Sequence, residues 1–209
     1  MEKYILDANI FFNMEAGTNL GKKTNEVITL LTEYGKKLRN KVELLMPPSA
    51  IAEFLSFFEE KNQPQIKKLL SIITIRSPNK NQLSFPAPVF YQLVEEIRKR
   101  SFRGLNLGEE EIKRAGLLMM GSAKLDKKNF EIKIGMVVKN FRDRYRRATR
   151  TGFLDSVTDL DLIVLTKEVD GVLVSADEGV ISWGRIFGIK EVVLPAFRTR
   201  LDALLGRQE

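Results

Sequence analysis

Apolar positions along the chain change period repeatedly, and each change marks an element. The segment YIL at residues 4–6 is short and apolar and stops at Asp7, which predicts a buried strand ending on an acid. A helical period follows over about residues 22–38, and a second strand over 43–46. Pro47 and Pro48 close that strand, and Pro48 with Ser49 suits the first turn of a helix running through AIAEFLSFF. Residues 72–76 read as another strand and SPNKNQLSFPAP as loop. Two helical stretches are predicted next, 89–102 and 109–149, with 104–108 as the turn between antiparallel helices. Beyond Gly152 the pattern alternates again: an apolar helix over 154–168, the strand GVLVS, a helix through Trp183, the strand EVVLP and a closing helix near Leu201. Strands alternating with helices predict an α/β fold of three layers around a central parallel sheet. Residues 1–85 and 151–209 would form that domain, interrupted by a helical hairpin at 86–150.

Length and composition fit this division. The chain has 209 residues, room for one core with a sizeable insertion. With 44% hydrophobic and 29% charged residues it reads as globular rather than disordered. No apolar run approaches the roughly 20 residues of a membrane span. The opening MEKYILDANIFF has an acid at position 2 and no small-residue cleavage site after an apolar stretch, so a cytoplasmic location is expected. Cysteine and histidine are both absent. That removes thiolate metal sites, cysteine nucleophiles, imidazole acid–base catalysis and histidine-ligated zinc together. Any hydrolysis must rest on carboxylates and a hard cation.

The carboxylates needed for this are present. Ligands in an open parallel sheet gather beyond the carboxyl ends of the strands. Asp7 follows YIL and Asp177 follows VLVSA, so both occupy such ends. Asp155 and Asp159 are four residues apart on the predicted helix and would share one face. Unneutralised, two such charges ~4 Å apart repel by about 4 kcal/mol at an effective dielectric near 20, which calls for a counter-ion. All-oxygen ligands select Mg²⁺, with Mn²⁺ as the alternative, and imply in-line attack of a metal-activated water on a phosphodiester. A plainer role is open for three of them: Asp7, Asp155 and Asp177 each stand where a helix N-cap belongs. Asp159 lies in LDSVTDLDLIVL, where a carboxylate among apolar neighbours requires a partner. Asp161 points away, about 200° round the helix from Asp159, as a salt-bridge or outer-sphere group. Glu53 is an outer-sphere candidate or a solvated acid.

Charge singles out a second region. The formal net charge is +7, yet residues 86–150 hold 16 Lys/Arg against 8 Asp/Glu, a net of +8, and the remainder holds 18 against 19, a net of −1. A positive field confined to one segment favours a polyanion there, and nucleic acid is the usual one. In MVVKNFRDRYRRATR, Lys139, Arg142, Arg146 and Arg150 fall within about 40° to 60° of one line at 100° per residue, flanked by Arg144 and Arg147. Val138, Phe141, Tyr145 and Ala148 would pack on the opposite side. Arg98, Lys99, Arg100 and Arg103 add a shorter cluster on the partner helix. A merely solvated charged face is the alternative reading. Apolar patches such as AGLLMM at 115–120 exceed what a two-helix arm can bury and suggest self-association.

At the aspartates the sequence resembles the PIN-domain nucleases. The points of likeness are YILDANIFF, the acid Glu53 on an early helix, an aspartate opening a late helix, and VLVSADEGV. Asp159 rather than Asp161 matches, because it stands 18 residues before Asp177 where Asp161 stands 16 before it. The likeness is greater to the small protein-only ribonuclease P enzymes, the homologues of Aquifex RNase P. It spans nearly the full length, including the two-helix insertion and DSVTDLDLIVLTKEVDGVLVSADEGV. That resemblance implies removal of 5′ leaders from precursor tRNA without an RNA subunit, with Asp7, Asp155, Asp159 and Asp177 as active site and homo-oligomers built through the arm. A toxin-like PIN ribonuclease cutting another RNA and a non-catalytic RNA-binding partner protein are the alternatives.

Overall fold

The computed structural model describes residues 1–12, 20–81, 83–120, 126–150, 154, 156–206, with the Arg150 side chain excepted. Five strands form one sheet: β1 (Glu2–Leu6), β2 (Val42–Met46), β3 (Ile73–Ile75), β4 (Val172–Val174) and β5 (Lys190–Val192). Their order is β3-β2-β1-β4-β5 and every pairing is parallel. Tyr4, Ile5 and Leu6 are all fully buried. Since successive strand residues point to opposite sides, the sheet is covered on both faces, as the near-continuous apolar runs require.

The helices are α1 (Thr24–Lys37), α2 (Pro48–Ser56), α3 (Pro64–Leu70), α4 (Pro88–Met120), α5 (Lys127–Arg150), α6 (Val157–Glu168), α7 (Glu178–Ile186) and α8 (Leu194–Gly206). A 3-10 turn, Ala8–Phe11, follows β1. By contacts the chain divides into two compact units, Met1–Pro86 with Leu154–Glu209, and Ala87–Phe153. Helix α3 carries no sequence signal strong enough to have been expected, being only 7 residues long. Helix α6 is buried on several sides, with Leu162, Ile163 and Leu165 fully covered, which explains its nearly uniform apolar sequence. It begins three residues later than expected, at Val157, because the Ser156 side chain accepts the Asp159 N–H at 3.0 Å and acts as N-cap.

The hairpin turns elsewhere than expected. Helix α4 runs unbroken through Gly104 and Gly108 to Met120, so residues 104–108 are not a turn. Two glycines cost roughly 1 kcal/mol each in a helix interior, which pairing with α5 along the length of the hairpin can offset. Gly104 has a packing reason: a Cβ there would stand 2.8 Å from Tyr145 Cε2. The expected inner face of α5 is also rotated. Val137 is buried, whereas Val138 and Tyr145 are 39% and 42% exposed. Asn140 Nδ2 and Arg144 Nη1 both donate to Glu111 Oε1, at 2.8 and 2.6 Å, and Glu111 is buried on α4. An enclosed carboxylate needs such donors, and they draw Asn140 and Arg144 into the seam.

Within the α/β unit Gly171, between α6 and β4, leaves no room for a side chain. A Cβ there would lie 2.4 Å from Ile5 Cδ1 and 3.1 Å from Lys3 O. Gly171→Ala should therefore destabilise the domain by ~1 to 3 kcal/mol. Calorimetry should show Tm falling by several degrees, and an unchanged Tm would mean that Ile5 repacks freely.

Candidate active site

The strand order places a topological switch point between β1 and β4, where connections leave in opposite directions and a crevice opens at the carboxyl ends. Asp7 and Asp177 stand at these two ends. The Asp7 N–H continues the ladder by donating to Val174 O at 3.0 Å. Its carboxylate is buried, with Oδ2 accepting from Ser175 Oγ at 2.6 Å and Oδ1 from the Asn9 N–H at 3.2 Å.

Two residues that the sequence pattern did not single out, Asn9 and Ser175, stitch this edge together. Ser175 Oγ also accepts from Asn9 Nδ2 at 3.3 Å and from the Asp177 N–H at 3.0 Å, while Asn9 Oδ1 accepts from the Ala176 N–H at 3.1 Å. One hydroxyl thus bridges the Asp7 carboxylate and the backbone of Asp177. Their signal in sequence is slight: a small polar residue two positions after one candidate aspartate and two before the other. The capping role of Asp7 and Asp177 is real as well. Asp7 caps the 3-10 turn, and Asp177 Oδ1 accepts from the N–H groups of Gly179 and Val180 at 2.7 and 3.2 Å. The cap of α7 engages Asp177 through Oδ1, and Oδ2 is not part of it.

Burial pushes the Asp7 carboxyl up to about 7, opposed by its bonds from Ser175 and Asn9 and reinforced by the negative fields of Asp159 and Glu53. Those two acids come from α6 and α2, so three elements deliver negative charge to one place. Asp161 is turned elsewhere: it accepts from Ser49 Oγ at 2.9 Å and pairs with Lys80 Nζ at 3.0 Å, tying α2 to α6. Asp155, expected to share a helix face with Asp159, lies outside the described residues. Among the described residues no three acids converge closely enough to hold an ion by themselves. The donor chemistry nonetheless fits a hard divalent cation. Mg²⁺ usually keeps several waters and takes only one or two protein carboxylates, and the charge crowding at Asp7 is what a cation would relieve. Asp7, Asp159 and Asp177, with Asp155, are the residues that could hold it.

In the hairpin, Lys139, Arg142, Arg146, Arg147 and Arg98 are exposed, while the Arg150 side chain lies outside the described residues. Arg144 is committed within the hairpin, to Glu110 and Glu111 at 2.6 Å each. Arg103 is half-buried, its Nε without a hydrogen-bond partner.

The sequence profile of the PINc domain ribonucleases matches residues 3–206. Proteins called RNA-free ribonuclease P from Thermococcus kodakarensis and Pyrococcus horikoshii are 36% and 35% identical over 99% of this chain and 98% and 95% of theirs. A third, from Pyrococcus furiosus, is 34% identical over 100% of this chain and 97% of its own. The chain belongs to the PINc domain ribonucleases and, among them, to the RNA-free ribonuclease P family. It is accordingly an endoribonuclease, of a domain class generally dependent on divalent metal. Among the described residues no helix is long and apolar enough to cross a membrane.

The raised Asp7 carboxyl has a thermodynamic consequence. Between the ordinary carboxylate value of 3.8 and about 7 the folded state binds more protons than the unfolded, so metal-free protein should lose stability as pH rises across that window. Asp7→Asn should flatten this loss and exceed the parent in Tm at pH 8 without metal. Parallel Tm–pH curves for the two proteins would show that Asp7 does not titrate in this way.

Proposed function

We propose that the protein is a cytoplasmic, protein-only ribonuclease P that cuts precursor tRNA at the 5′ side of the mature sequence, using Mg²⁺ and no RNA subunit. The observation that carries this reading is the joining of Asp7, at the sheet's switch point, to Asp177 through Ser175, with the fields of Asp159 and Glu53 focused on it. Membership of the RNA-free ribonuclease P family supplies the substrate class. When bound, Mg²⁺ would polarise the scissile phosphate and activate the attacking water, leaving 5′-phosphate and 3′-hydroxyl ends. Asp7, Asp155, Asp159 and Asp177 are the proposed ligands. Ser175 and Asn9 hold the Asp7 carboxylate in orientation, and Asp161 fixes α6 against α2.

The hairpin is proposed to hold folded RNA by its backbone through Lys139, Arg142, Arg146 and Arg147, exposed cations on one helix. Arg98 and Arg103 on α4 are proposed to extend this surface, whereas Arg144 contributes by bracing the hairpin. Self-association through the arm is supported by an apolar line on α4: Phe90, Val94, Ile97, Leu105 and Ile112 are 48–73% exposed and recur at helical spacing.

Purified protein should cleave precursor tRNA with Mg²⁺ and stop on addition of EDTA. Cleavage of an unrelated RNA in preference would favour a toxin-like nuclease, and binding without cleavage a non-catalytic partner. Asp177→Asn keeps a capping oxygen for α7, so it should abolish turnover while leaving RNA affinity and Tm nearly intact; undiminished turnover would remove Asp177 from the site. Replacing Arg142 and Arg146 together with Ala should weaken binding and lower the slope of log K against log salt by roughly 1.5 to 2. A slope identical to that of the parent would mean that these side chains do not meet phosphate.

A further inference from the structure

Five phenylalanines gather where the chain leaves the acidic crevice. Phe11 packs on Phe54 with ring centroids 4.7 Å apart, and Phe12 meets Phe54 and Phe58 at 5.9 and 5.8 Å. These contacts fix the orientation of Phe12. On its far side Phe57 lies stacked, centroids 4.0 Å apart and planes at 25°, yet Phe57 is 59% exposed. A lone exposed Phe needs no explanation. Phe57 differs in two ways: an aromatic ring held by its own neighbours is stacked on it while more than half of the residue stays exposed, and it follows α2 one turn after Glu53, whose charge reaches Asp7. Phe12 in turn stands five residues beyond Asp7. One helical turn advances about 5.4 Å, close to the spacing of neighbouring nucleotides in an extended strand.

We propose that the stacked pair Phe57–Phe12 is a platform for one unpaired base of the RNA strand, next to the phosphodiester held by the aspartates. Aromatic faces accept any base, so the platform would position the strand without reading its sequence. Given the ribonuclease P reading, on which this rests, the base belongs to the 5′ leader. Bases of the acceptor stem are already stacked within a duplex, whereas leader bases near the cut offer a free face.

The test uses full-length protein and precursor tRNA carrying, at each of the three leader positions upstream of the cut, either 2-aminopurine or an abasic nucleotide. One position should show 2-aminopurine quenched on binding to the parent protein and not to Phe57→Ala, with Phe57→Tyr restoring the quench. An abasic nucleotide at that position should raise the parent's KM about 10-fold, and Phe57→Ala should raise KM similarly on intact substrate but add little on the abasic one. Near-parental Tm and unchanged kcat at saturation would separate this from general damage to the fold. Absence of quenching at all three positions, or equal sensitivity to the abasic nucleotide in parent and Phe57→Ala, overturns the platform. Binding is read separately from cleavage, so failure of the parent to cut precursor tRNA would overturn the ribonuclease P reading alone.

Discussion

The structure turns on a carboxylate that folding removes from water and bonds to neutral donors, Ser175 and Asn9. Asp7 is 4% exposed and faces two other acids, an arrangement that opposes folding whenever the group is ionised. Only neighbouring donors make it tolerable, and the chain supplies them locally: a backbone N–H two residues on and a serine hydroxyl from the adjacent strand end. Such an arrangement costs stability and stores an unsatisfied demand for positive charge. In a family of nucleases such a demand is what the proposed cation would meet, and the five-stranded sheet holds the carboxylate in place.

Secondary contacts around the crevice follow from the same demand. Ser175 holds Asp7 and the Asp177 backbone at once, so the two strand ends cannot drift apart without breaking the hydroxyl's contacts. Asp161 anchors Ser49 and Lys80, which fixes the start of α2 and thereby the helix bearing Glu53. Glu168 likewise receives Arg76 and the Asn79 N–H at 2.5 and 2.7 Å, pinning the segment after β3 onto α6. Two acids near the site, Asp161 and Glu168, thus shape it through their cationic partners, while the charges of Asp159 and Glu53 reach Asp7.

Much of this was legible in sequence because the physics is local. Strands that are apolar on both faces and stop at an acid mark Asp7 and Asp177, and alternation with helices gives a parallel sheet whose functional edge is known in advance. The hairpin was less legible. Gly104 and Gly108 look like a turn when the chain is read alone, and only the partner helix shows Gly104 to be a site of close approach to Tyr145. Periodicity likewise put Val138 inside and Arg144 outside, because no single-helix pattern reveals that Glu111 on α4 needs Arg144 in the seam. Ser175 and Asn9 were invisible for the same reason: their value lies in a pairing between positions 166 to 168 residues apart.

That separation governs when the enzyme comes into being. The first strand precedes the hairpin in the chain, but its central neighbour β4 and the serine that bonds Asp7 are made only after the whole hairpin. Contacts so distant in sequence form late and slowly. A growing chain, even one long enough to include the cationic helices, therefore still lacks the strand pairing and the serine hydroxyl that hold Asp7 in place.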